Sequence, residues 1–382
     1  MNGVARRAGC RVGGVVRAAF GVGLSLVVAG CLDLQSTGLS TPPVNAVSIV
    51  LAGHSAFPGV VQTPSGAILL AFRNGLHHID PSGRIVIRRL HVGSNGLLPD
   101  TTIAVIDTEL DDRDPALTLL KDGEVLLTFL GSALDHWLPQ RVSVMRSSDD
   151  GATWTARTDI TPTNVAGSPR VGWYATRSRV LEIAPGQLVM PVYAQLPGDS
   201  RFSSHTLVSR DGGNVWEYGG LMARDPAQVR SYWEPSLSAG SNEVIGSFRT
   251  DVSEPGPLLG LLTLARGDAM GQTWSAPWPS SQFGYPADVL RTSGGALLMA
   301  FGYRRVPYGV RLAVVSNVDN RWSVDSSVIV DEASEMWDCG YPSLLQLQDG
   351  RILLAYYTTQ RHQTFVRLVL LTPDGLLAAP SR

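Results

Sequence analysis

Arginine, acidic and tyrosine side chains recur at one place in a pattern that the sequence repeats six times. In each copy they lie just before a short apolar segment or just after the next one. The residues and segments at these positions are Arg73, residues 76–80, residues 112–115, Arg177, Arg179, Tyr193, residues 233–235, Arg249, Tyr285, Asp288, Arg304, Arg305, Arg311, Asp338, Cys339, Tyr341 and Tyr357. Guanidinium groups bind carboxylates through paired hydrogen bonds, and carboxyl and phenol groups exchange protons. Their concentration at one level of the repeat predicts a binding pocket.

The repeated pattern is a hairpin, in which a short apolar strand, a tight polar turn and a second apolar strand follow one another. The copies are VVQTPSGAILLAF, LTLLKDGEVLLTF, VLEIAPGQLVMPV, LSAGSNEVIGSF, ADVLRTSGGALLMAF and LLQLQDGRILLAY. One turn position holds Gly66, Gly123, Gly186, Asn242, Gly295 and Gly350, which are residue types that tolerate a positive φ. Successive turns are 53 to 63 residues apart. This spacing predicts an all-β fold, a six-bladed β-propeller of four-stranded antiparallel blades.

The geometry of a blade explains why the polar residues would meet. The inner strand of each blade runs away from one face of the ring, and the next strand returns to that face. Residues just before the first strand and just after the second therefore share a rim. The hairpin turns lie at the opposite face and carry fewer charged residues, so we expect the pocket at the rim.

A second motif, S-x-D-x-G-x-x-W, occurs at residues 147–154 and 209–216, with eroded copies at residues 267–274 and 316–322. Its Ser and Asp side chains are suited to cap a β-turn, and its Trp is suited to pack that turn onto a blade. We expect this motif to stabilise the fold without taking part in chemistry. It resembles the Asp-box of the sialidase-type propellers.

The rim residues resemble the exo-α-sialidases over about residues 50 to 372. LHHID at residues 76–80 looks like the loop with the catalytic acid/base, which would be Asp80. WEPSL at 233–237 and the later FR look like the segments with the catalytic glutamate, Glu234, and the second clamp arginine, Arg249. CGYPSL at 339–344 looks like the segment with the nucleophile, Tyr341. The resemblance implies hydrolysis of terminal sialic acid or a related sugar from glycans, with retention.

In that chemistry Tyr341 attacks, Glu234 draws off its proton, and Asp80 protonates the leaving oxygen and later activates water. An arginine cluster binds the substrate carboxylate. The candidates for substrate binding are Arg73, Arg113, Arg249, Arg304, Arg311 and Asp114, and Asp112 and Asp114 are alternatively partners that order the arginines. No cofactor is expected. A metal is not expected either, because His77 and His78 point to opposite faces of a strand and a third ligand is not evident.

The chain departs from the sialidase pattern at one position. Sialidases begin with Arg-Ile-Pro, which supplies the first arginine of the clamp, and here the stretch is Ala56-Phe57-Pro58. The third clamp arginine could be Arg304, Arg305 or Arg311. Because the first arginine is absent, the substrate could be another acidic or neutral sugar instead of sialic acid. The alternative is a non-catalytic propeller that binds glycans or a surface protein. A third possibility, an assembly-factor propeller, predicts an apolar or flat rim.

The three catalytic candidates also have structural explanations. Tyr341 could be a packed aromatic at a strand start, and Asp80 could cap the turn that Pro81 begins. Glu234 requires a partner if it is buried. Cys339 is expected to be a buried filler rather than a pocket thiol.

Residues 1–30 have the pattern of a lipoprotein-type signal peptide. Arginines precede the apolar run 18–29, and Val28-Ala29-Gly30-Cys31 resembles a lipoprotein box. We predict a lipidated Cys31, a flexible tether over 31–45 and a propeller over 46–382. The protein would cross the inner membrane and be anchored at the outer membrane or cell surface as a monomer. The net charge of −2 gives no reason to expect nucleic acid as a partner.

Overall fold

The computed structural model describes residues 46–93, 96–133, 141–163, 174–240, 242–252, 260–318, 321–324 and 326–372. The predicted signal peptide, Cys31 and the tether lie outside these residues. Within them every regular element is a β-strand, so the all-β prediction is confirmed. None of the described segments is a helix of the length and apolarity that would cross a membrane.

The strands are numbered in chain order. They are β1 Val47–Ile49, β2 His54–Gln62, β3 Ile68–Gly75, β4 Arg84–Gly93, β5 Gly96–Ile106, β6 Asp111–Leu119, β7 Val125–Ser132, β8 Arg141–Ser147, β9 Thr158–Asp159, β10 Leu181–Ala184, β11 Gln187–Gln195, β12 Phe202–Ser209, β13 Glu217–Ala223, β14 Arg230–Ala239, β15 Glu243–Val252, β16 Leu261–Asp268, β17 Trp278–Phe283, β18 Ala287–Arg291, β19 Leu297–Tyr303, β20 Tyr308–Val318, β21 Arg321–Ser323, β22 Val328–Ser334, β23 Gly340–Gln346, β24 Ile352–Gln360 and β25 Gln363–Leu371.

Antiparallel meanders of these strands form a β-propeller. Separate sheets contain β6 to β9, β10 to β13, β14 to β17, and β18 to β20 with β21 and β22. The remaining sheet has eight strands, because β2 to β5 and the group β23 to β25 with β1 are joined by one parallel bridge between His54 and Thr364. The structure therefore has five hydrogen-bonded sheets where six separate blades were predicted.

The first and last parts of the described chain complete one meander together. Strand β1 pairs antiparallel with β25, with Val47 opposite Leu368 and Ile49 opposite Val366. The last meander thus takes its outer strand from the beginning of the propeller. This pairing closes the ring and brings β2 next to β23.

The core lies between neighbouring sheets. Leu69 and Ile87 of one sheet pack with Leu117 and Phe129 of the next, and all four are at most 3% exposed. Because each sheet is covered on both faces, inner strands read as continuous apolar runs rather than alternating ones. Each buried side chain of this size contributes about 1.5–3 kcal/mol, so the contacts between sheets stabilise the ring.

The tight turns of the hairpins have the predicted backbone. Gly66, Gly123, Gly186, Gly295 and Gly350 all have positive φ, from 73° to 92°. Glycine adopts this conformation without the steric cost that a Cβ brings. The turn prediction is confirmed at these five positions.

The Asp-box at 147–154 forms the predicted capped turn. Ser147 Oγ accepts from Gly151 N at 2.8 Å, and Asp149 Oδ1 accepts from Thr153 N at 2.8 Å. Trp154 Nε1 donates to Gly151 O at 3.1 Å. The box at 209–216 repeats this set of hydrogen bonds.

The eroded box at 267–274 keeps its cap by a shift of one residue. Asp268 lies one position before the usual aspartate and accepts from Gln272 N and Thr273 N, both at 3.0 Å. Trp274 Nε1 donates to Gly271 O at 2.9 Å. The structural role predicted for the motif is confirmed here, while Asp319 of the last copy lies outside the described residues.

Candidate active site

Four inner strands share one irregularity at the predicted site end. Phe57 of β2, Asp114 of β6, Glu234 of β14 and Tyr341 of β23 have positive φ, between 46° and 57°. Each precedes a proline, and the pairing with the next strand shifts register there. A non-glycine residue in this conformation costs about 1–3 kcal/mol, and such strain clusters at functional sites. The bulge therefore identifies these four side chains as candidates for function.

Tyr341 and Glu234 form the central contact of the site. Tyr341 Oη donates to Glu234 Oε1 at 2.5 Å, and each residue is only 7% exposed. Burial raises the pKa of Tyr341, and the charge of Glu234 raises it further. Burial also opposes the charge of Glu234, but Arg249 and the Tyr341 hydrogen bond outweigh it and lower the pKa of Glu234. A neutral phenol thus faces a charged carboxylate, which can take its proton.

Three arginines surround this pair. The guanidinium carbons of Arg177 and Arg304 lie 5.2 and 5.3 Å from the centroid of the Tyr341 ring. Arg249 Nη1 donates to Glu234 Oε2 at 3.2 Å. Arg177 also donates to backbone carbonyls of β18 and β23, at 2.8 and 3.0 Å. Arg249 and Arg304, two candidates for the clamp, therefore lie beside Tyr341 and Glu234, whereas Arg177 also ties inner strands together.

Of the three candidates for the third clamp arginine, Arg304 is the one that contacts residues of the site, and it lies in the loop after β19. Arg304 Nη2 donates to Tyr357 Oη at 3.2 Å and lies 3.7 Å from Asp338 Oδ1. Arg305 and Arg311 instead stack on aromatic rings, 3.5 and 3.7 Å from the ring centroids. Arg311 lies on β20 against Tyr303 of its own sheet, and among the described contacts none joins it to Tyr341 or Glu234, so its substrate contact stays a prediction.

The position of the missing arginine is filled with apolar side chains. Ala56 is fully buried, and the ring of Phe57 lies 4.8 Å from the Tyr341 ring in an edge-on contact. The guanidinium carbon of Arg113 lies 5.0 Å from the Phe57 ring centroid. Arg113 also donates to Asp111 Oδ2 at 3.0 Å. A guanidinium from the next blade thus reaches the region that lacks its own arginine.

Asp114 is a buried carboxyl group beside Glu234. It is 8% exposed, and its Oδ1 has no hydrogen-bond partner among the described residues. Burial raises the pKa of Asp114 to about 6, with Arg113 lowering it and Glu234 raising it. Two nearby carboxyl groups with pKa values moved in opposite directions are the usual arrangement of an acid and a base. The sequence predicted only a binding or ordering role for Asp114.

Asp80 lies in the loop beside the site, but its carboxylate faces the following turn. Asp80 Oδ1 accepts from Ser82 N at 2.8 Å, and the hydrogen bonds from Ser82 lower the pKa of Asp80. The loop itself reaches the site, because His78 O accepts from Arg113 Nη1 at 2.7 Å. The structure therefore shows the turn-capping alternative for this carboxylate. Among the described contacts, none joins it to Tyr341 or Glu234.

Arg73 supports the loop from below, and its predicted role in substrate binding is wrong. The residue is fully buried, and its Nε donates to Asp111 Oδ1 at 2.7 Å. Its terminal nitrogens donate to His77 O at 2.8 Å and Asp80 O at 3.4 Å. The sequence shows only an arginine after a strand, which does not distinguish an exposed guanidinium from one covered by the next loop.

A histidine–aspartate cluster adjoins the site, and it was not predicted from the sequence. His78 Nδ1 and His54 Nε2 lie 2.7 and 3.1 Å from Asp338 Oδ2. Tyr357 Oη donates to Asp338 Oδ1 at 2.5 Å. The expectation that His78 lacks further ligand-type neighbours is therefore wrong. His54 and Asp338 are 284 residues apart and meet because the ring closes between β2 and β23.

Cys339, which follows this cluster, is a buried filler as expected. It is fully buried and free, and its Sγ lies 3.8 Å from Gly309 O. Burial raises the pKa of the thiol to about 11, so it is neutral at physiological pH.

Solved structures resemble the chain over most of its length. A protein of unknown function from Dyadobacter fermentans has a TM-score of 0.70 at 24% identity, covering 86% of this chain and 99% of its own. The α-L-arabinofuranosidase Arb93A from Fusarium graminearum has a TM-score of 0.66 at 12% identity, covering 87% and 99%. The NanB sialidase from Streptococcus pneumoniae has a TM-score of 0.66 at 11% identity, covering 89% and 72%. Similarity at these identities shows a shared propeller fold.

Sequence comparison adds a family but no individual relative. No curated protein matches the chain. The family model described as the BNR repeat-like domain matches residues 105–355, which extend from the end of β5 into β24. Since that match covers more than half of the chain, the protein belongs to the BNR repeat-like domain family.

Proposed function

We propose that this protein is a retaining exo-glycosidase that removes terminal sialic acid or a related sugar from glycans, with Tyr341 as nucleophile. The observation that carries this proposal is the 2.5 Å hydrogen bond between Tyr341 and Glu234, both held at strained positions on separate sheets. We count the two meanders of the eight-stranded sheet as separate blades. On this count the propeller has six blades, and Glu234 and Tyr341 belong to the fourth and sixth.

The reaction would proceed in two steps. Tyr341 Oη attacks the anomeric carbon and gives its proton to Glu234, while the glycosidic bond breaks and the leaving oxygen takes a proton from an acid. Water then attacks the same carbon and gives a proton to the conjugate base of that acid. Tyr341 leaves with the proton held by Glu234. Two displacements at one carbon retain its configuration.

Asp114 is our preferred acid, and Asp80 is the alternative. Asp114 is buried beside Glu234 and has a pKa of about 6, so a substantial fraction is protonated near that pH. The Asp80 carboxylate accepts a hydrogen bond from Ser82 and has a lowered pKa, which makes it a weaker donor. The loop would have to turn Asp80 towards the pair for it to act.

The charges around the pair support a related sugar as strongly as sialic acid. Three site arginines have acidic neighbours, namely Arg113 with Asp111 at 3.0 Å, Arg249 with Glu234 and Asp251 at 3.2 and 3.1 Å, and Arg304 with Asp338 at 3.7 Å. These carboxylates offset the charge that would bind a substrate carboxylate. The similar solved structures include both a sialidase and an arabinofuranosidase.

An exposed tryptophan offers a surface for the rest of the glycan. Trp337 is 54% exposed, and the Arg304 guanidinium lies 5.2 Å from its ring centroid. Aromatic side chains with an apolar face and a polar edge suit sugar rings. We propose that the leaving part of the substrate contacts Trp337.

The test is turnover of fluorogenic α-sialosides and α-L-arabinofuranosides by the purified protein and its Tyr341→Phe variant. We expect turnover of one class, reduced at least about 100-fold by the substitution. Tyr303→Phe is the matched control, because Tyr303 packs against the core and contacts Arg311 rather than Tyr341 or Glu234, and it should retain full activity. A fluorinated glycosyl fluoride of the active class should label Tyr341, as located by peptide mass spectrometry.

Each other outcome is informative. Labelling of Glu234 or Asp114 would show that the nucleophile is a carboxylate and would overturn the role of Tyr341. Equal turnover by Tyr341→Phe would do the same. Absence of turnover and labelling across the substrate panel, with binding on a glycan array, would support the alternative function.

That alternative is a glycan-binding propeller without catalysis. It is favoured by one observation: Phe57 packs on the Tyr341 ring, which leaves Tyr341 only 7% exposed. In that case Tyr341→Phe should leave glycan affinity nearly unchanged, whereas Trp337→Ala should reduce it.

For the segment before the propeller we propose lipidation of Cys31 and anchoring of a monomer at the outer membrane or cell surface. The motif Val28-Ala29-Gly30-Cys31 supports this proposal. Fatty-acid labelling should be lost in Cys31→Ser, and light scattering should give the mass of one chain. Labelling that persists in the variant would contradict the anchor.

A further inference from the structure

Three side chains from the two ends of the ring direct ligand-type atoms at one point beside the candidate active site. His54 Nε2 and His78 Nδ1 approach Asp338 Oδ2 at 3.1 and 2.7 Å, and the three atoms all lie within 4.8 Å of one another. His54 begins β2, His78 lies in the loop after β3, and Asp338 precedes β23. Their convergence depends on ring closure and not on any sequence motif.

We infer that His54, His78 and Asp338 form a binding site for a divalent transition-metal ion such as Zn²⁺. A tetrahedral zinc ion with bonds of about 2.0–2.2 Å places its ligands roughly 3.3 Å from one another. The two separations from Asp338 Oδ2 differ from this value by about 0.2 and 0.6 Å, and the two imidazole nitrogens lie within 4.8 Å of each other. The ion would replace the shared imidazole–carboxylate contact after side-chain adjustments of this size.

The second contacts of Asp338 suit a ligand role. Asp338 Oδ1 accepts from Tyr357 Oη at 2.5 Å, and Arg304 Nη2 lies 3.7 Å from that oxygen. Oδ2 therefore remains directed at the two imidazoles, while the guanidinium lies near Oδ1. Hydrogen bonds of this kind orient metal ligands. His54 Nδ1 is buried without a partner among the described residues, so one such contact is lacking and the affinity should be moderate.

The ligand set favours zinc over calcium or magnesium. Two imidazole nitrogens and one carboxylate oxygen suit zinc and its neighbours, whereas calcium and magnesium prefer oxygen ligands. Three protein ligands leave a fourth position for water or a substrate oxygen. The His78 side chain is 34% exposed, which gives the ion a way in, while His54 and Asp338 are 11% and 12% exposed.

The site lies next to the catalytic candidates without sharing a residue with them. The ring of Tyr357, which binds Asp338, lies 5.8 Å from the Tyr341 ring. The ring of His78 lies 5.3 Å from that of Phe57, which in turn contacts Tyr341. The ion would therefore lie one aromatic ring away from Tyr341, with Phe57 and Tyr357 between them. Metal binding itself does not depend on the proposed glycosidase activity.

The test is metal binding by untagged protein that has been stripped with a chelator. We expect one equivalent of Zn²⁺ by calorimetry, and visible ligand-field bands from Co²⁺ in a four-coordinate site. His78→Ala should weaken Zn²⁺ binding about 10- to 100-fold or more and abolish the Co²⁺ bands. Ca²⁺ should not compete at equal concentration.

The matched control is His77→Ala, which removes an exposed imidazole from the neighbouring position and should leave Zn²⁺ binding unchanged. His78→Gln, whose thermal unfolding is compared with the parent, separates loss of a ligand from loss of fold. The proposal is overturned if the folded parent protein binds no Zn²⁺ at micromolar concentration, or if His77→Ala and His78→Ala weaken binding equally. The cluster would then be a hydrogen-bond network only.

Discussion

Arg73 and Asp111 form a buried ion pair beneath the loop between β3 and β4, with Arg73 Nε 2.7 Å from Asp111 Oδ1 and both side chains at most 1% exposed. The remaining donors of Arg73 hold the loop carbonyls of His77 and Asp80. Asp111 Oδ2 accepts from Arg113. The pair therefore fixes both the loop and the neighbouring arginine.

Breaking this pair should lower the stability of the protein against unfolding. Arg73→Met removes one of the two guanidinium partners of the buried Asp111 carboxylate and leaves only Arg113. We expect a loss of about 3 kcal/mol in the free energy of unfolding, the lower end of the range for breaking a buried ion pair. The measurement is urea denaturation at pH 7. The double variant Arg73→Met/Asp111→Leu should recover part of the loss, because the buried carboxylate that lost Arg73 is gone. A single variant as stable as the parent would show that the pair is not needed.

The pH dependence of turnover should identify the acid. The folded pKa of Asp114 is about 6, and only its protonated form can donate, so kcat/KM should fall about tenfold per pH unit above 6. Asp114→Asn should remove this limb and lower activity about 100-fold or more. The limb should persist in Asp112→Asn, since Asp112 also has a pKa of about 6 but binds Thr108. Loss of the limb in Asp80→Asn instead would assign the acid to the loop.

Restoring the missing arginine should fail. Ala56 is fully buried against Phe57, Tyr341 and Tyr357, so Ala56→Arg adds a large charged side chain to a filled cluster. We expect a loss of at least about 1–3 kcal/mol from overpacking, and no gain in turnover of sialosides. Ala52→Arg is the exposed control and should be neutral in thermal unfolding. Parent-like stability combined with new sialoside turnover would show that the site accommodates the arginine.

The Asp-box should contribute to stability in a pH-dependent way. Hydrogen bonds from Thr153 and Ser147 lower the pKa of Asp149 to about 2. The contribution of a carboxylate with a depressed pKa is complete above its unfolded pKa near 4 and is lost as the pH falls towards 2. Asp149→Ala should therefore lower the Tm at pH 7, and the difference in Tm between the variant and the parent should disappear near pH 2. Turnover should not change, and Ser148→Ala should have no effect on the Tm. A constant difference across this range would exclude the charge as the cause.

The repeat predicted the propeller because each blade corresponds to one copy of the hairpin pattern in the sequence. Gly66 and Gly350 lie at equivalent turns and share a φ of 88°, although they belong to opposite ends of the chain. The contact between Glu234 and Tyr341 was also predicted, since a motif identified each residue and the ring geometry placed both on one rim. The sheet count differed because a single bridge, between His54 and Thr364, joins two meanders.

The parts that were missed depend on side-chain direction and on closure. Arg73 and Arg304 both follow a strand at the rim, yet one is buried under a loop and the other reaches Tyr357. Asp80 was placed on the correct loop, but the backbone after it determines that its carboxylate binds Ser82. His54 could not be paired with Asp338, because their contact exists only after the two ends of the ring meet.

The left-handed residues before proline have a consequence for how this surface can change over time. Phe57, Asp114, Glu234 and Tyr341 have nearly the same backbone conformation but carry an aromatic ring, two acids and a phenol. The four positions are therefore equivalent in backbone conformation, and each comes from a different inner strand. Exchanging the side chain at one of them changes the chemistry of the site and leaves the backbone of the propeller unchanged. Propellers of this design can therefore acquire or lose an activity through single substitutions.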